Sequence, residues 1–124
     1  MIVDTPSRAG ELIAPFFAGE EGERVAVLHL DEERRLIATT FSPVGGAAEV
    51  DLPVRDILRA ALQMGSAAIV VAHNHPSGDP TPSAEDIDAT RRLAQAVVPA
   101  GIRFVDHLVF GGGEWRSFRE LGLL

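Results

Sequence analysis

Six consecutive apolar residues, Ala67-Ala68-Ile69-Val70-Val71-Ala72, constrain this chain more than any other feature. A short run rich in β-branched residues, with no polar alternation, predicts a strand buried on both faces, which needs cover on each side. The residues on either side of it agree. Val54, Ile57, Leu58, Ala61 and Leu62 recur at i, i+3, i+4, i+7 and i+8, and Gly65 sits where a helix C-cap belongs, so an amphipathic helix leads directly into the strand. A second helix is predicted from Ser83, with Ile87, Thr90, Leu93, Ala94, Val97 and Val98 facing inward, ending at Pro99-Ala100-Gly101. Interleaved strands and helices make this an α/β chain, a central sheet flanked by helices.

The carboxyl end of the buried run delivers His73-Asn74-His75. Side chains at i and i+2 of a strand share a face, so the two histidines can meet at one point while Asn74 turns away. Pro76 to Pro82 carries three prolines and a glycine, which restricts the loop, and Ser83 reads as an N-cap that places Asp86 in the first helical turn. Two imidazoles and a carboxylate make the three-ligand set of a catalytic zinc site, whose fourth position is left to water. Bound to such a cation, water ionises near neutral pH, and the reaction class is hydrolysis of an acyl bond or a related addition to carbon. Zinc is the expected metal, with manganese, iron and nickel compatible with the same ligand types. Each element has a plainer alternative. The histidines can simply hydrogen-bond the loop, and Ser83-x-x-Asp86 also fits a capping box, in which the acid returns to the N-cap amide.

Elsewhere the chain supports the same architecture. Thr5-Pro6-Ser7 starts a helix with Ala9, Leu12, Ile13, Phe16 and Phe17 on one face, expected to be short or kinked because of Gly10 and Pro15. Arg24 to Leu30 alternates with both faces apolar, and Asp31 to Arg34 turns it into a return strand from Arg35 to Phe41. Ile102 to Val105 and Leu108 to Phe110 are strand-like, Gly111-Gly112-Gly113 is a tight turn, Glu114 to Arg116 returns, and Ser117-x-x-Glu120 caps a last helical turn.

Composition narrows the function classes. At 124 residues, one domain spanning 1–124 is expected. A formal charge of -7 disfavours nucleic acid as a partner, and the absence of cysteine excludes thiolate metal sites and cysteine nucleophiles. No apolar run is long enough to cross a bilayer and no basic-then-apolar leader opens the chain, so the expected setting is cytoplasmic. An exposed sheet edge makes a homodimer contact possible.

His73-x-His75, ten residues, then Asp86, with Ser83 three before it, resembles the JAMM signature of MPN-domain metalloproteases. The longer strings HNHPSGDPTPSAEDIDATRRL and GIRFVDHLVFGGGEWRSFRE, with Val54 to Leu62 upstream, are similar to the bacterial RadC family within that group. The resemblance covers nearly the whole chain from about residue 5. It implies the MPN α/β core, with a cytidine deaminase-like layout, and a zinc hydrolase acting on a peptide or isopeptide bond of a peptide or protein substrate. His73, His75 and Asp86 then correspond to the zinc ligands and Ser83 to the serine that helps hold the oxyanion. The family's glutamate base opens the first core strand, where Glu23 matches, with Glu20 and Glu21 close enough to take its place. RadC proteins usually carry a helix-hairpin-helix region ahead of this domain; this sequence does not contain it, which removes the family's most plausible DNA-contacting segment, so DNA is not the expected partner. Non-catalytic MPN scaffolds are the alternative class, and a nuclease is suggested by the RadC name alone. His107, in a string the family shares, is expected to be structural, Trp115 to pack in the core or at an edge, and Arg91 and Arg92 to lie on a solvated face.

Overall fold

The computed structural model describes residues 1–19, 22–43 and 52–124. Its elements run α1 (Pro6–Phe17), β1 (Arg24–Leu30), β2 (Leu36–Pro43), α2 (Val54–Met64), β3 (Ala68–Asn74), α3 (Ala84–Val97), β4 (Arg103–Gly111) and β5 (Glu114–Ser117). The strands form one five-stranded mixed sheet in the order β2-β1-β3-β4-β5, in which only β3 and β4 run parallel. The parallel pair needs a crossover, and α3 supplies it. Every residue of β3 is buried, as its apolar run requires.

Two cores lie on opposite faces of the sheet. Ile57 and Ala61 of α2 and Ala89, Leu93 and Val97 of α3 pack with Val25, Val27, Ile69 and Val71. Ala9, Ile13 and Phe17 of α1 pack with Ala26, Leu28, Val70, Ala72 and Leu108 on the other face. This is the expected α/β sheet flanked by helices, consistent with a JAB/MPN domain. Among the described residues no helix is long and apolar enough to cross a membrane.

Several expectations are corrected. The first helix is not short: it runs 12 residues, continues through Gly10 and Pro15, and is capped by the Thr5 side chain. Gly10 is there for packing, since a Cβ on it would stand 2.6 Å from the Trp115 indole. Phe16 is exposed and sets its ring edge-on to Phe41 of β2, with centroids 4.8 Å apart. Leu62 and Val98 are also exposed, because the stripe α2 buries is only as wide as Ile57 and Ala61, and α3 ends at Val97. The segments Ile102–Val105 and Leu108–Phe110 belong to one strand, β4, whose pairing with β3 slips by a residue between Phe104 and Asp106. The slip reverses the inside-outside alternation, so His107 faces α2 and α3 as Phe104 does, and Asp106 faces the α1 side. After β5 the chain makes turns rather than a helix, with Ser117 Oγ accepting from Glu120 N at 3.1 Å.

Candidate metal centre

His73 is the sixth residue of β3, directly opposite Val25 of β1 and Val109 of β4, so its side chain stands on the α2–α3 face. His75 continues the strand direction, its N–H donating to the Phe110 carbonyl at 2.7 Å. The loop then folds back: Gly78 N donates to His75 O at 3.0 Å, and Gly78 takes a φ of 91° that favours glycine. That fold-back lies against the β4–β5 turn. A Cβ on Gly111 would come within 2.9 Å of the Gly78 and Asp79 backbone and one on Gly112 within 2.7 Å of Gly78 O, so the glycine turn lets the histidine loop lie flush.

At the start of α3 the capping box forms. Asp86 N donates to Ser83 Oγ at 3.0 Å, and Ser83 N donates to Asp86 Oδ2 at 2.8 Å. Capping and metal-site geometry, two alternatives in sequence, occur together here. The same carboxylate places Oδ1 3.2 Å from His73 Nε2 and Oδ2 3.0 Å from His75 Nε2, and the two Nε2 atoms are 3.1 Å apart. The three side chains can hold a metal ion, with donor atoms all within 4.8 Å of one another. His73 and Asp86 are buried, whereas the His75 side chain keeps 16% exposure, so the site opens to solvent past His75.

The donor set fits a divalent cation. His75 Nδ1 lies 2.8 Å from the Asp79 carbonyl oxygen, which only accepts, so Nδ1 holds the ring proton and Nε2 of the neutral ring is a lone pair aimed at Asp86. Burial is the largest influence on Asp86 and opposes its ionisation. When the imidazoles take up a further proton, the hydrogen bonds from His73 and His75, the charge of His73 and the Ser83 N–H together outweigh it, and the carboxyl is held well below the usual range. The hydrogen bond to Asp86 raises the His75 imidazole against the pull of burial, with smaller contributions from the Asp79 carbonyl and the charges of Asp86 and Glu23. A pocket that binds a proton between two nitrogens and a carboxylate offers the same lone pairs to a metal.

Glu23 stands just before β1, near enough for its charge to act on His75, and its Oε2 is buried with no hydrogen-bond partner among the described residues. Its backbone is held from both sides by Asn74, whose Nδ2 donates to Gly22 O at 3.0 Å and whose Oδ1 accepts from Arg24 N at 2.7 Å. The residue between the two histidines thus fixes the strand start that carries the acid, a role its sequence position gave no sign of. Glu20 and Glu21, the other candidate bases, lie outside the described residues.

Behind His73 runs a chain of contacts that sequence reading missed. His73 Nδ1 is 2.7 Å from His107 Nε2, His107 Nδ1 is 2.6 Å from Thr90 Oγ1, and Thr90 Oγ1 donates to the Asp86 carbonyl at 2.7 Å. His107 stacks on Phe118 with centroids 4.6 Å apart, and its burial holds its imidazole well below the ordinary value. On the other side of His75 a cavity of about 490 Å³ opens, walled by Phe17, Phe110, Trp115 and the glycine turn.

Comparison with known proteins places these residues in a familiar setting. The model of the RadC-like JAB domain matches residues 3–123. A UPF0758 protein of Thermosynechococcus vestitus is 38% identical over 120 residues, which cover 97% of this chain and 48% of that protein. The UPF0758 protein YfjY of Escherichia coli is 42% identical over 107 residues, covering 86% of this chain and 67% of that protein. A UPF0758 protein of Symbiobacterium thermophilum is 40% identical over 119 residues, covering 96% and 51%. Apart from YfjY, the chain spans about half the length of these curated relatives.

Proposed function

The chain belongs to the family of RadC-like JAB domains, and from that premise we propose that it is a JAMM-type zinc hydrolase that cleaves a peptide or isopeptide bond. The observation that carries this reading is the convergence of His73 Nε2, His75 Nε2 and the Asp86 carboxylate on one point; Glu23, whose charge acts on His75 and whose Oε2 has no hydrogen-bond partner among the described residues, is the candidate base beside it. His73, His75 and Asp86 would hold the zinc. When bound, the cation supplies Lewis-acid polarisation of the substrate carbonyl and a water acidified toward neutral pH.

The protein's own groups do the rest. Glu23 takes the proton of the attacking water and returns it to the leaving amine; its Oε2 makes no competing hydrogen bond among the described residues. Ser83 accepts from Asp86 N through its oxygen, which leaves the hydroxyl proton to donate to the developing oxyanion. Asn74 keeps Glu23 in place through the backbone on either side of it. The apolar cavity beside His75 suits side chains of a peptide or protein substrate. An overall charge of -7 speaks against a nucleic-acid substrate, and the cysteine-free composition is compatible with a cytoplasmic setting.

Metal content by mass spectrometry on untagged protein, wild type beside His75→Ala, is the first test. Near-stoichiometric zinc in the wild type that vanishes in the variant, followed by cleavage from a panel of peptide and isopeptide substrates, is the expected result. Zinc bound with every amide substrate left intact would return the domain to the scaffold class, and no zinc even on addition would remove the ligand roles.

A further inference from the structure

The two candidate histidine ligands are oriented in different ways. His75 gives its Nδ1 proton to a backbone carbonyl, an acceptor with no alternative state. His73 gives its Nδ1 to another imidazole, which can donate or accept according to its own tautomer. His73 is therefore fixed only if something else fixes His107.

Thr90 does so. Its hydroxyl has one proton, and the Asp86 carbonyl 2.7 Å away can only accept, so the proton is committed there. The Thr90 oxygen must then accept from His107 Nδ1 at 2.6 Å, which puts the His107 proton on Nδ1 and leaves Nε2 a lone pair. A doubly protonated His107 would be a fully buried cation with no carboxylate at either ring nitrogen, an unfavourable state. With His107 Nε2 as acceptor, His73 donates from Nδ1 at 2.7 Å. The remaining nitrogen of His73, Nε2, is then the lone pair that faces His75 Nε2 and Asp86 Oδ1.

We infer that Thr90 and His107 are positioning residues that lock the tautomer of His73, so that its Nε2 lone pair is set toward a divalent cation before one arrives. The inference rests on His73 being a ligand. It ties two ligands from different elements to one proton order: Asp86 through its carbonyl on α3, and His73 through its ring on β3. The β4 slip is what makes this possible, because it turns His107 onto the α3 face.

Thr90→Val keeps the shape of the side chain and removes the hydroxyl. His107 is then released to place its proton on Nε2 and donate to His73 Nδ1, which forces the His73 proton onto Nε2, facing the site. Imidazole ¹⁵N spectra of the metal-free protein read this directly. The expected result is an Nδ1–H tautomer at both His73 and His107 in wild type and Thr90→Ser, and Nε2–H at His73 in Thr90→Val. Chelator competition should show zinc binding about 10- to 100-fold weaker in Thr90→Val, the usual cost of losing an outer partner of a ligand, and near wild type in Thr90→Ser. Wild-type His73 carrying its proton on Nε2, or Thr90→Val binding zinc as the wild type does, overturns the proposal. Should Thr90→Val not fold, His107→Gln, whose carboxamide oxygen can accept from His73, should bind zinc more tightly than His107→Leu; equal affinities overturn it. A wild type that binds no zinc defeats the ligand reading, and the tautomers of the metal-free protein still decide the proton order.

Discussion

His29 and His73 stand on the same face of neighbouring strands, one toward each end of the sheet, and both are completely buried. His29 has Nδ1 2.8 Å from Ser66 Oγ and Nε2 2.8 Å from Thr40 Oγ1. Both partners are hydroxyls, which can donate or accept, so either tautomer closes the network with nothing left over. His73 meets Asp86 Oδ1 and His75 Nε2 instead, where the carboxylate can only accept and the Asp79 carbonyl already holds the His75 proton at Nδ1. Burial is common to both rings, and so is hydrogen bonding. The difference lies in the second nitrogen: facing hydroxyls it is satisfied by the fold, and facing other lone pairs it calls for a proton or a metal ion.

Removing a ligand breaks that contrast most completely. Asp86→Ala is expected to abolish zinc binding, a larger effect than the roughly 10- to 100-fold loss typical of an outer-partner change, and metal analysis checks it. Glu23→Gln comes next: full zinc content with hydrolysis slowed by about 10²- to 10⁴-fold, the usual worth of a general base, measured on any substrate the wild type cleaves. Retained activity there would shift the base to Glu20 or Glu21. Substitution at the other end of the sheet should invert the pattern. His29→Ala is expected to cost about 2–4 kcal/mol in denaturant unfolding, from the cavity and the stranded hydroxyls, with zinc stoichiometry and affinity unchanged. Loss of zinc in that variant would erase the distinction between the two histidines.

The smallest effect is the pH dependence of metal-free stability, where His29 and His75 have opposite signs. Burial lowers the His29 imidazole, so its contribution is complete above the unfolded value of about 6.5 and is lost as pH falls below it. His107, also lowered by burial, adds to that side. His75 is raised by its bond to Asp86, so its contribution is complete below about 6.5 and is lost as pH climbs through its folded value. Unfolding between pH 5 and 8 should therefore lose its acid-side decline partly in His29→Ala and its alkaline-side decline in His75→Ala. Identical profiles for the two variants would contradict the assignment.

Much of the candidate site was legible because its parts are close in sequence. The His73–His75 spacing, the Ser83–Asp86 box and the strand that presents them all follow from local periodicity, and the structure brings all four side chains together. The buried run of β3 and the stripe of α2 likewise fixed the helix-flanked sheet, since burial on two faces permits few other arrangements. Phe16 was misplaced because helical periodicity finds a face but not its width, and an aromatic partner on β2 stabilises the ring outside the core.

What only the tertiary structure decided comes from contacts across long separations and from breaks in regular pleating. Asn74 clamps the backbone around Glu23 from 50 residues away, and nothing near either residue announces the pairing. His107 reaches His73 because one slip in β4 reverses the alternation that strand counting assumes, and Thr90, a neutral inward position by helical period, comes within 2.6 Å of the other nitrogen of the same ring. Sequence by itself determined the types of the candidate ligands and the element that carries each, because spacing along a strand or helix turn is a local property. The direction of each lone pair had to wait for the fold, because it depends on which donors and acceptors distant segments bring to the other side of the ring.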